Sequence, residues 1–315
     1  MSLRVVVLGG TGFVGHSVCE QLVRQLPGVR VIVPTRRPRF GLAIQSLPGV
    51  ELVTADVHHP DALRRVLLRA DAVINLVAIL HGNHERFERV HVALPQTLAR
   101  LCHDLHIGNI VHVSAIGASE QGPSMYLRSK ARGEAALRPP GPVRATILRP
   151  SVIFGARDRF TNLFAKLQAV APVMPLAGAD AQFQPVWVDD VARAVVKVLL
   201  EPRLQGQTFE CCGPAIYTLA ELVRLSGRAA GHERPVIPLP MAIGRLQALM
   251  MRLMPGEPMM SDDNLDSMQT PNVATPGAPG LSALGIEPSA LEAIMPMYLG
   301  AGQADARFDR WRAQR

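Results

Sequence analysis

A chain of 315 residues that is 48% hydrophobic can bury one large core or two ordinary ones, and its opening residues hold no apolar run of signal-peptide or membrane-span length. The net charge of +7 would suit an anionic ligand, but aromatic residues are only 4% and no block of Lys and Arg appears, which argues against nucleic acid as a partner. Four cysteines without paired or metal-ligand spacing indicate a reducing compartment, so we expect a globular, cytoplasmic protein.

Short β-branched runs alternate with helical patterns through the first half of the chain. Because these runs are almost continuously apolar, they predict a Rossmann-type, doubly wound α/β fold with a parallel sheet and helices on both faces. The predicted strands are RVVVLG (4–9), VRVIVPT (29–35), VELVTAD (50–56), AVINLVA (72–78), NIVHVSA (109–115) and RATILRP (144–150). Predicted helices begin near Phe13 and Asp61, end near Leu105, and cover MYLRSKARGEAAL (125–137).

The alternation loosens after Pro150, where Pro and Gly become frequent. We predict a dinucleotide-binding domain over residues 1–154, to which one more strand and helix return over residues 184–203. A smaller, discontinuous C-terminal substrate domain takes residues 155–183 and 204–315. The amphipathic, methionine-rich helix predicted over residues 241–254 is either a core helix of that domain or a face for a membrane or an apolar ligand.

The turn after the first strand, LGGTGFVG (8–15), has the glycine spacing of a dinucleotide-binding site. Gly9 allows the tight turn, Gly12 lets the backbone approach a pyrophosphate, and Gly15 lets the helix pack closely. The N–H groups near the start of the helix point at the phosphates. The predicted cofactor contacts in this turn are Gly9, Thr11, Gly12, Phe13, Val14 and Gly15.

The end of the second strand favours NADP(H), with NAD(H) as the alternative cofactor. An NAD site usually carries an acid there, whereas this chain has Arg36 and Arg37, which either bind a 2′-phosphate or are solvated loop residues. Asp56 is placed to accept a bond from the adenine amino group or to cap the next helix. The remaining predicted cofactor contacts after the third and fourth strands are Val57, Val77 and Ala78.

Tyr126 and Lys130 lie four residues apart on the helix after the fifth strand, and Ser114 ends that strand. Chance pairs at this spacing number about 0.03 in a chain with three tyrosines and three lysines. On a helix the two side chains share a face, so the Lys130 ammonium is expected to lower the pKa of Tyr126. We predict that Tyr126 transfers a proton while hydride moves at nicotinamide, and that Ser114 holds the substrate oxygen.

The glycine turn, Ser114, Tyr126-x3-Lys130 and LRPSVIFG (148–155) together resemble the short-chain dehydrogenase/reductase superfamily over most of the chain. Other segments, in the same order, are similar to its atypical, epimerase/dehydratase-like members related to the accessory dinucleotide-binding subunit of mitochondrial complex I. Those segments are HVSAIGA, YLRSKARGE, RPSVIFGARDRFTNLFA, QPVWVDDVARA, FECCGPAIYTLAEL and LGIEPSALEAIMPMYL.

The resemblance implies an NADP(H)-binding protein linked to respiratory or ubiquinone metabolism, in a family whose members often hold nucleotide without established turnover. It assigns cofactor roles to Gly9, Gly12, Gly15, Arg36, Arg37 and Lys130. It also places Pro150, Ser151, Val152 and Ile153 beside the nicotinamide.

His91 departs from the family pattern, because related enzymes usually have Asn at this position. It is a substitute donor, a sign of relaxed catalytic geometry, or a satisfied structural histidine. His81 and His84 do not complete a metal-ligand spacing with it, so no metal is expected. Asp189 and Asp190 are expected to cap a helix and not to act as catalytic acids.

Three functions fit these residues. The first is an NADP(H)-dependent oxidoreductase or redox auxiliary that acts on a small, quinone-like molecule, peripherally on the inner face of the membrane or against a respiratory complex. The second is a non-catalytic assembly module in which Lys130 anchors the nucleotide ribose. The third is a nucleotide-sugar epimerase or dehydratase, for which a methionine-rich helix offers few polar contacts. The sequence indicates neither the substrate nor the oligomeric state.

Overall fold

The structure, a computed structural model, describes residues 2–138, 143–245 and 261–300. Its strands are β1 (Arg4–Leu8), β2 (Arg30–Thr35), β3 (Val50–Thr54), β4 (Ala72–Asn75), β5 (Asn109–Val113), β6 (Arg144–Pro150), β7 (Ile153–Phe154), β8 (Met174–Ala177), β9 (Gln182–Phe183), β10 (Val186–Trp187), β11 (Thr208–Cys211), β12 (Tyr217–Thr218) and β13 (Val236–Leu239).

The α-helices are α1 (Phe13–Gln25), α2 (Leu42–Gln45), α3 (Pro60–Leu67), α4 (His84–Phe87), α5 (Leu94–Asp104), α6 (Met125–Ala136), α7 (Thr161–Val170), α8 (Val188–Leu200), α9 (Leu219–Ala229), α10 (Asp262–Ser267) and α11 (Leu291–Leu299). A π-helix over Glu88–Ala93 connects α4 to α5. Part of the methionine-rich helix predicted over residues 241–254 lies outside the described residues.

The chain divides into two compact units. The first unit consists of residues 1–150, 188–211 and 274–287, and the second of residues 151–187, 212–273 and 288–315.

A seven-stranded parallel sheet forms the centre of the first unit, in the order β11-β6-β5-β4-β1-β2-β3. In β1, Val6 and Leu8 are fully buried in the core shared with α3 and α5, while the alternate residues Val5 and Val7 are buried as well. Successive side chains of a strand point to opposite faces, so both faces of the sheet are covered. Helix α1 packs with α8, and α5 packs with α3 and α6. The predicted doubly wound α/β fold is confirmed.

The seventh strand differs from the sequence prediction. Strand β10 does not join the central sheet but pairs with β7 in the second unit, and β11 forms the sheet edge instead. The prediction assigned residues 204–315, which include β11, to the smaller domain. Glu210 interrupts the apolar run of this strand. In the structure that carboxylate accepts bonds from the Thr275 backbone N–H at 2.6 Å and hydroxyl at 3.0 Å, which satisfies a charge inside a strand.

The second unit has its own core, centred on Phe154, Phe183, Leu222 and Met295. The Asp158 carboxylate is almost fully buried and accepts bonds from the backbone N–H groups of Gly155 and Phe160 and from the Thr161 hydroxyl. This carboxylate therefore fixes the turn that leads into α7.

Candidate functional site

The glycine turn between β1 and α1 is shaped by backbone that only glycine tolerates. Gly9 has φ +81°, in the left-handed region. A Cβ on Gly15 would lie 2.4 Å from the Gly9 carbonyl oxygen, so α1 packs directly on the turn. Helix α1 begins after Gly12, and within the described residues no side chain caps it. Its first N–H groups are thus left for an anion at the positive end of the helix dipole.

The cationic edge of the site follows β2 and β3. Arg36 and Arg37 are both exposed, and β2 and β3 run in register from Val31 to Thr35. Asp56 accepts a bond from the His58 N–H at 3.0 Å and does not cap α3. Burial opposes ionisation of Asp56, but that N–H and the nearby charges of His58 and Arg36 together lower its pKa.

The loop after β4 is held by two buried side chains. The Asn75 amide accepts a bond from the Val77 N–H at 3.2 Å, and its nitrogen lies 3.1 Å from His112 Nδ1. The Ile79 N–H donates to His91 Nε2 at 3.1 Å. Of the cofactor contacts predicted here, Val77 is half-buried against the core and Ala78 is exposed.

Ser114 directly follows β5, and the side chain of Lys130, on α6, reaches the end of that strand. The Lys130 ammonium is buried and donates to the carbonyl oxygen of Val113, the residue before Ser114, at 2.8 Å. Burial lowers the pKa of Lys130 to about 8, although the carboxylate of Glu134 opposes this shift. The Ser114 hydroxyl is buried and has no hydrogen-bond partner among the described residues. A buried hydroxyl without a partner is rare in native proteins and is expected where a ligand supplies the missing bond.

Tyr126 lies in the first turn of α6, where the helix is capped by the Ser124 hydroxyl. Its ring meets those of His91 and Phe87 edge-on, with centroids 5.6 Å and 6.4 Å away. Burial raises the pKa of Tyr126 to about 12, whereas the sequence predicts a lowered value. Burial is the cause of this shift, because it disfavours the charged phenolate.

His91 is a satisfied, uncharged histidine. Its Nδ1 lies 2.8 Å from the Ser129 hydroxyl, while its Nε2 accepts the Ile79 N–H. Burial, with the Lys130 charge, lowers the pKa of His91 to about 3. Both ring nitrogens are occupied, and no group of three metal-ligating side chains occurs in the described part of the chain. The π-helix that carries His91 is not evident from the sequence, because its apolar spacing resembles that of an α-helix.

The remaining predicted cofactor contacts, residues 150–153, are divided between the two units. Pro150 is the last residue of β6 in the first unit and accepts a bond from the Ile116 N–H at 2.9 Å. In the second unit, the Ser151 hydroxyl and the Val152 N–H both donate to the Asn272 amide oxygen, at 2.6 Å and 3.0 Å. Ile153 belongs to β7. Asn272 was absent from the predicted site, since only the folded chain brings it to residues so far away in sequence.

The sequence and the fold both match known proteins. Residues 5–212 match the model of the NAD dependent epimerase/dehydratase family. The chain is 32% identical, over 293 residues, to the mitochondrial NADH dehydrogenase [ubiquinone] 1 alpha subcomplex subunit 9 of Mus musculus; the match covers 91% of this chain and 77% of the relative.

Two solved structures share the fold. The NADPH-dependent quinone oxidoreductase QOR2 of Escherichia coli, complexed with NADPH, has a TM-score of 0.74 and 19% identity, covering 93% of this chain and 99% of that one. The UDP-glucose 4-epimerase of Thermus thermophilus, in complex with NAD, has a TM-score of 0.70 and 20% identity, covering 94% and 98%. At these identities the likeness concerns the fold alone.

Proposed function

The chain belongs to the NAD dependent epimerase/dehydratase family, and on this premise we propose that it binds NADP(H) and transfers hydride to or from a small, quinone-like molecule. The observation that carries the proposal is the buried Ser114 hydroxyl, which lacks a partner among the described residues beside the Lys130–Val113 contact. Because no described protein group bonds to this hydroxyl, it can donate a hydrogen bond to a substrate oxygen.

The glycine turn is the proposed pyrophosphate site. The uncapped start of α1 offers N–H donors, and Gly12 has no Cβ to separate the backbone from a phosphate. We assign the adenine amino group to Asp56 and the 2′-phosphate to Arg36 and Arg37, whose exposed guanidinium groups follow a strand with no acid at its end. Charge-assisted bonds to a phosphate would then favour NADP(H) over NAD(H).

Tyr126 is the proposed acid and base. When bound, the nicotinamide would supply the hydride while the substrate oxygen gains a proton, or would accept the hydride while that oxygen loses one. Tyr126 would give or take that proton, with Ser114 holding the oxygen. Lys130 donates to Val113 through one N–H, so its other ammonium hydrogens remain for the nucleotide ribose and its charge for the phenolate.

The quinone-like substrate is supported by the comparisons. The mouse relative is named as a subunit of NADH dehydrogenase [ubiquinone], and the Escherichia coli protein is titled an NADPH-dependent quinone oxidoreductase. We therefore propose a peripheral position near a respiratory complex on the inner face of the membrane. No helix in the described ranges is long and apolar enough to cross a bilayer.

A second candidate function is a non-catalytic module that holds the nucleotide for assembly. The pKa of Tyr126, raised to about 12 by burial, favours this alternative because such a phenol gives up its proton less readily than an ordinary tyrosine. In that case Lys130 would anchor the ribose and Tyr126 would be a packing residue.

The test is oxidation of NADPH by the purified protein with soluble short-chain ubiquinones, beside binding of NADPH measured by calorimetry. We expect Tyr126→Phe to abolish turnover and to retain NADPH binding. The matched control is Tyr217→Phe, which removes a hydroxyl bonded to Glu292 in the second unit. NADPH binding without turnover by any quinone would establish the assembly role, whereas epimerisation of UDP-glucose would overturn the quinone substrate class.

A further inference from the structure

A chain of hydrogen bonds connects the loop after β4 to the backbone of Tyr126. The Ile79 N–H donates to His91 Nε2 at 3.1 Å, His91 Nδ1 lies 2.8 Å from the Ser129 hydroxyl, and that hydroxyl donates to the Tyr126 carbonyl at 2.8 Å. His91 and Ser129 are almost completely buried, so water does not compete for these bonds.

The direction of each bond follows from the groups present. A backbone N–H can only donate, so Nε2 of His91 carries no proton. Neutral imidazole then carries its proton on Nδ1, which donates to Ser129, and this leaves the Ser129 proton for the Tyr126 carbonyl. Every donor in the chain has one acceptor, and the low pKa of His91 agrees with a ring that stays uncharged.

Two further contacts bring His91 close to α6. The His91 ring packs edge-on against the Tyr126 ring, and a Cβ on Gly133 would lie 2.1 Å from the His91 carbonyl oxygen. Helix α6 thus lies against the π-helix at backbone distance, with His91 between the loop after β4 and the turn that carries Tyr126.

We infer that His91, acting through Ser129, is a positioning residue that sets the orientation of Tyr126. This inference rests on the proposed function, since it assigns Tyr126 as the group that must be oriented. Each proton in this series of hydrogen bonds is already donated to an acceptor. His91 therefore orients the tyrosine without exchanging a proton with it.

Two substitutions of His91 separate the two bonds of its ring. The amide nitrogen of Asn lies close to the position of Nδ1, so His91→Asn retains a donor to Ser129. The amide oxygen of Gln lies close to the position of Nε2, so His91→Gln retains an acceptor for Ile79 and loses the bond to Ser129. Ser129→Ala breaks the chain at the next residue with little change in volume. His112→Asn is the control, because His112 is also a buried histidine with a lowered pKa near Lys130, but its Nδ1 lies beside the Asn75 amide and not beside Ser129.

The readout is the resonance of Tyr126 in protein labelled at the tyrosine Cζ carbon, recorded over a pH titration with and without NADPH. Only three tyrosines are present, and Tyr126→Phe assigns the signal. We expect His91→Gln and Ser129→Ala to broaden the Tyr126 signal or change its titration, and His112→Asn to leave both as in the wild type. His91→Asn removes the ring beside Tyr126 and so shifts the signal, but it should keep the wild-type line width and titration. In turnover, the first pair should lower kcat about ten- to a hundred-fold with little change in KM for NADPH.

A wild-type line width and titration of Tyr126 in both His91→Gln and Ser129→Ala would overturn the inference. Equal changes of line width and titration in His91→Asn and His91→Gln would overturn it as well. Failure of the proposed function has a different signature, namely no binding of NADPH and no turnover by the wild type. The spectra of the nucleotide-free protein test the role of His91 in either case.

Discussion

The Lys130 ammonium on α6 contacts the Val113 carbonyl at the end of β5, 2.8 Å away, in the interior of the first unit. A carbonyl oxygen carries only part of a charge, so this contact compensates the buried cation incompletely. Glu134, one turn along α6, is engaged by Arg149 in two bonds of 2.9 Å and 2.6 Å. The buried, incompletely compensated charge of Lys130 therefore lowers the stability of the free protein.

We expect Lys130 to raise the free energy of unfolding between pH 7 and pH 9.5 relative to a variant that lacks it. The buried thiols of Cys19 and Cys102, whose pKa burial raises, act in the opposite direction, so the comparison is between variants. Burial lowers the pKa of Lys130 from 10.5 to about 8, so the unfolded chain retains a proton that the native protein has released. The contribution of Lys130 to stability then increases with pH across this window, by about 2 kcal/mol. The measurement is urea denaturation at both pH values for the wild type and Lys130→Met. The pH dependence of Lys130→Met should differ from that of the wild type by this amount. Lys197→Met should follow the wild type, because the Lys197 ammonium is partly exposed and pairs with Glu201. An identical pH dependence of the free energy of unfolding in the wild type and Lys130→Met would contradict this prediction.

Ser114→Ala should leave the stability of the free protein unchanged or raise it by up to about 1 kcal/mol, because it removes a buried hydroxyl that has no partner in the described chain. The contrasting variant is Ser124→Ala, which removes the cap of α6 and should cost about 1 kcal/mol. Thermal denaturation without ligand measures the stability of both variants against the wild type. A large loss of stability in Ser114→Ala would mean that the hydroxyl has a partner in the free protein.

Arg36→Ala and Arg37→Ala should each weaken NADPH binding by about tenfold and leave NADH binding within about twofold, since only NADPH has a 2′-phosphate. Arg39→Ala is the matched control: this arginine is also exposed in the same loop, but its guanidinium lies 5.0 Å from the Phe40 ring. Calorimetric titration with both nucleotides gives the comparison. Equal losses for NADPH and NADH would indicate a general contribution of charge and not recognition of the 2′-phosphate.

Gly15→Ala should destabilise the protein by about 1–3 kcal/mol, because the new Cβ would lie 2.4 Å from the Gly9 oxygen and the helix must shift away from the turn. Gly108→Ala serves as the control, since a Cβ there meets nothing within 4 Å among the described residues. Chemical denaturation measures the loss in each, and NADPH binding should fall only in Gly15→Ala. A Gly15→Ala protein as stable as the wild type would show that the turn can adapt.

The parallel sheet could be predicted because six of its strands are nearly continuous apolar runs, and the glycine turn because its spacing follows directly after the first of them. Strand β11 could not be predicted in the same way. It is four residues long and contains Glu210. The carboxylate of Glu210 is satisfied by Thr275, which lies 65 residues later in the sequence.

The sequence indicates candidate residues for the site but not the electrostatics of their surroundings. Tyr126 and Lys130 stand out by their spacing, but the pKa of Tyr126 depends on desolvation by a folded interior, which spacing does not report. In the same way, His91 was open to three interpretations until its two ring nitrogens were seen to contact Ile79 and Ser129.

The π-helix over Glu88–Ala93 has a consequence for insertions and deletions. Its hydrogen bonds enclose one residue more per turn than those of an α-helix. Removing a single residue there would let the segment relax into an ordinary α-helix and rotate His91 by about 100° around the axis, away from Ser129. The contact with α6 thus depends on the length of the chain between Phe87 and Leu94 as well as on the identity of its residues. Related chains that are one residue shorter in this segment should present a different side chain to the helix that carries the tyrosine.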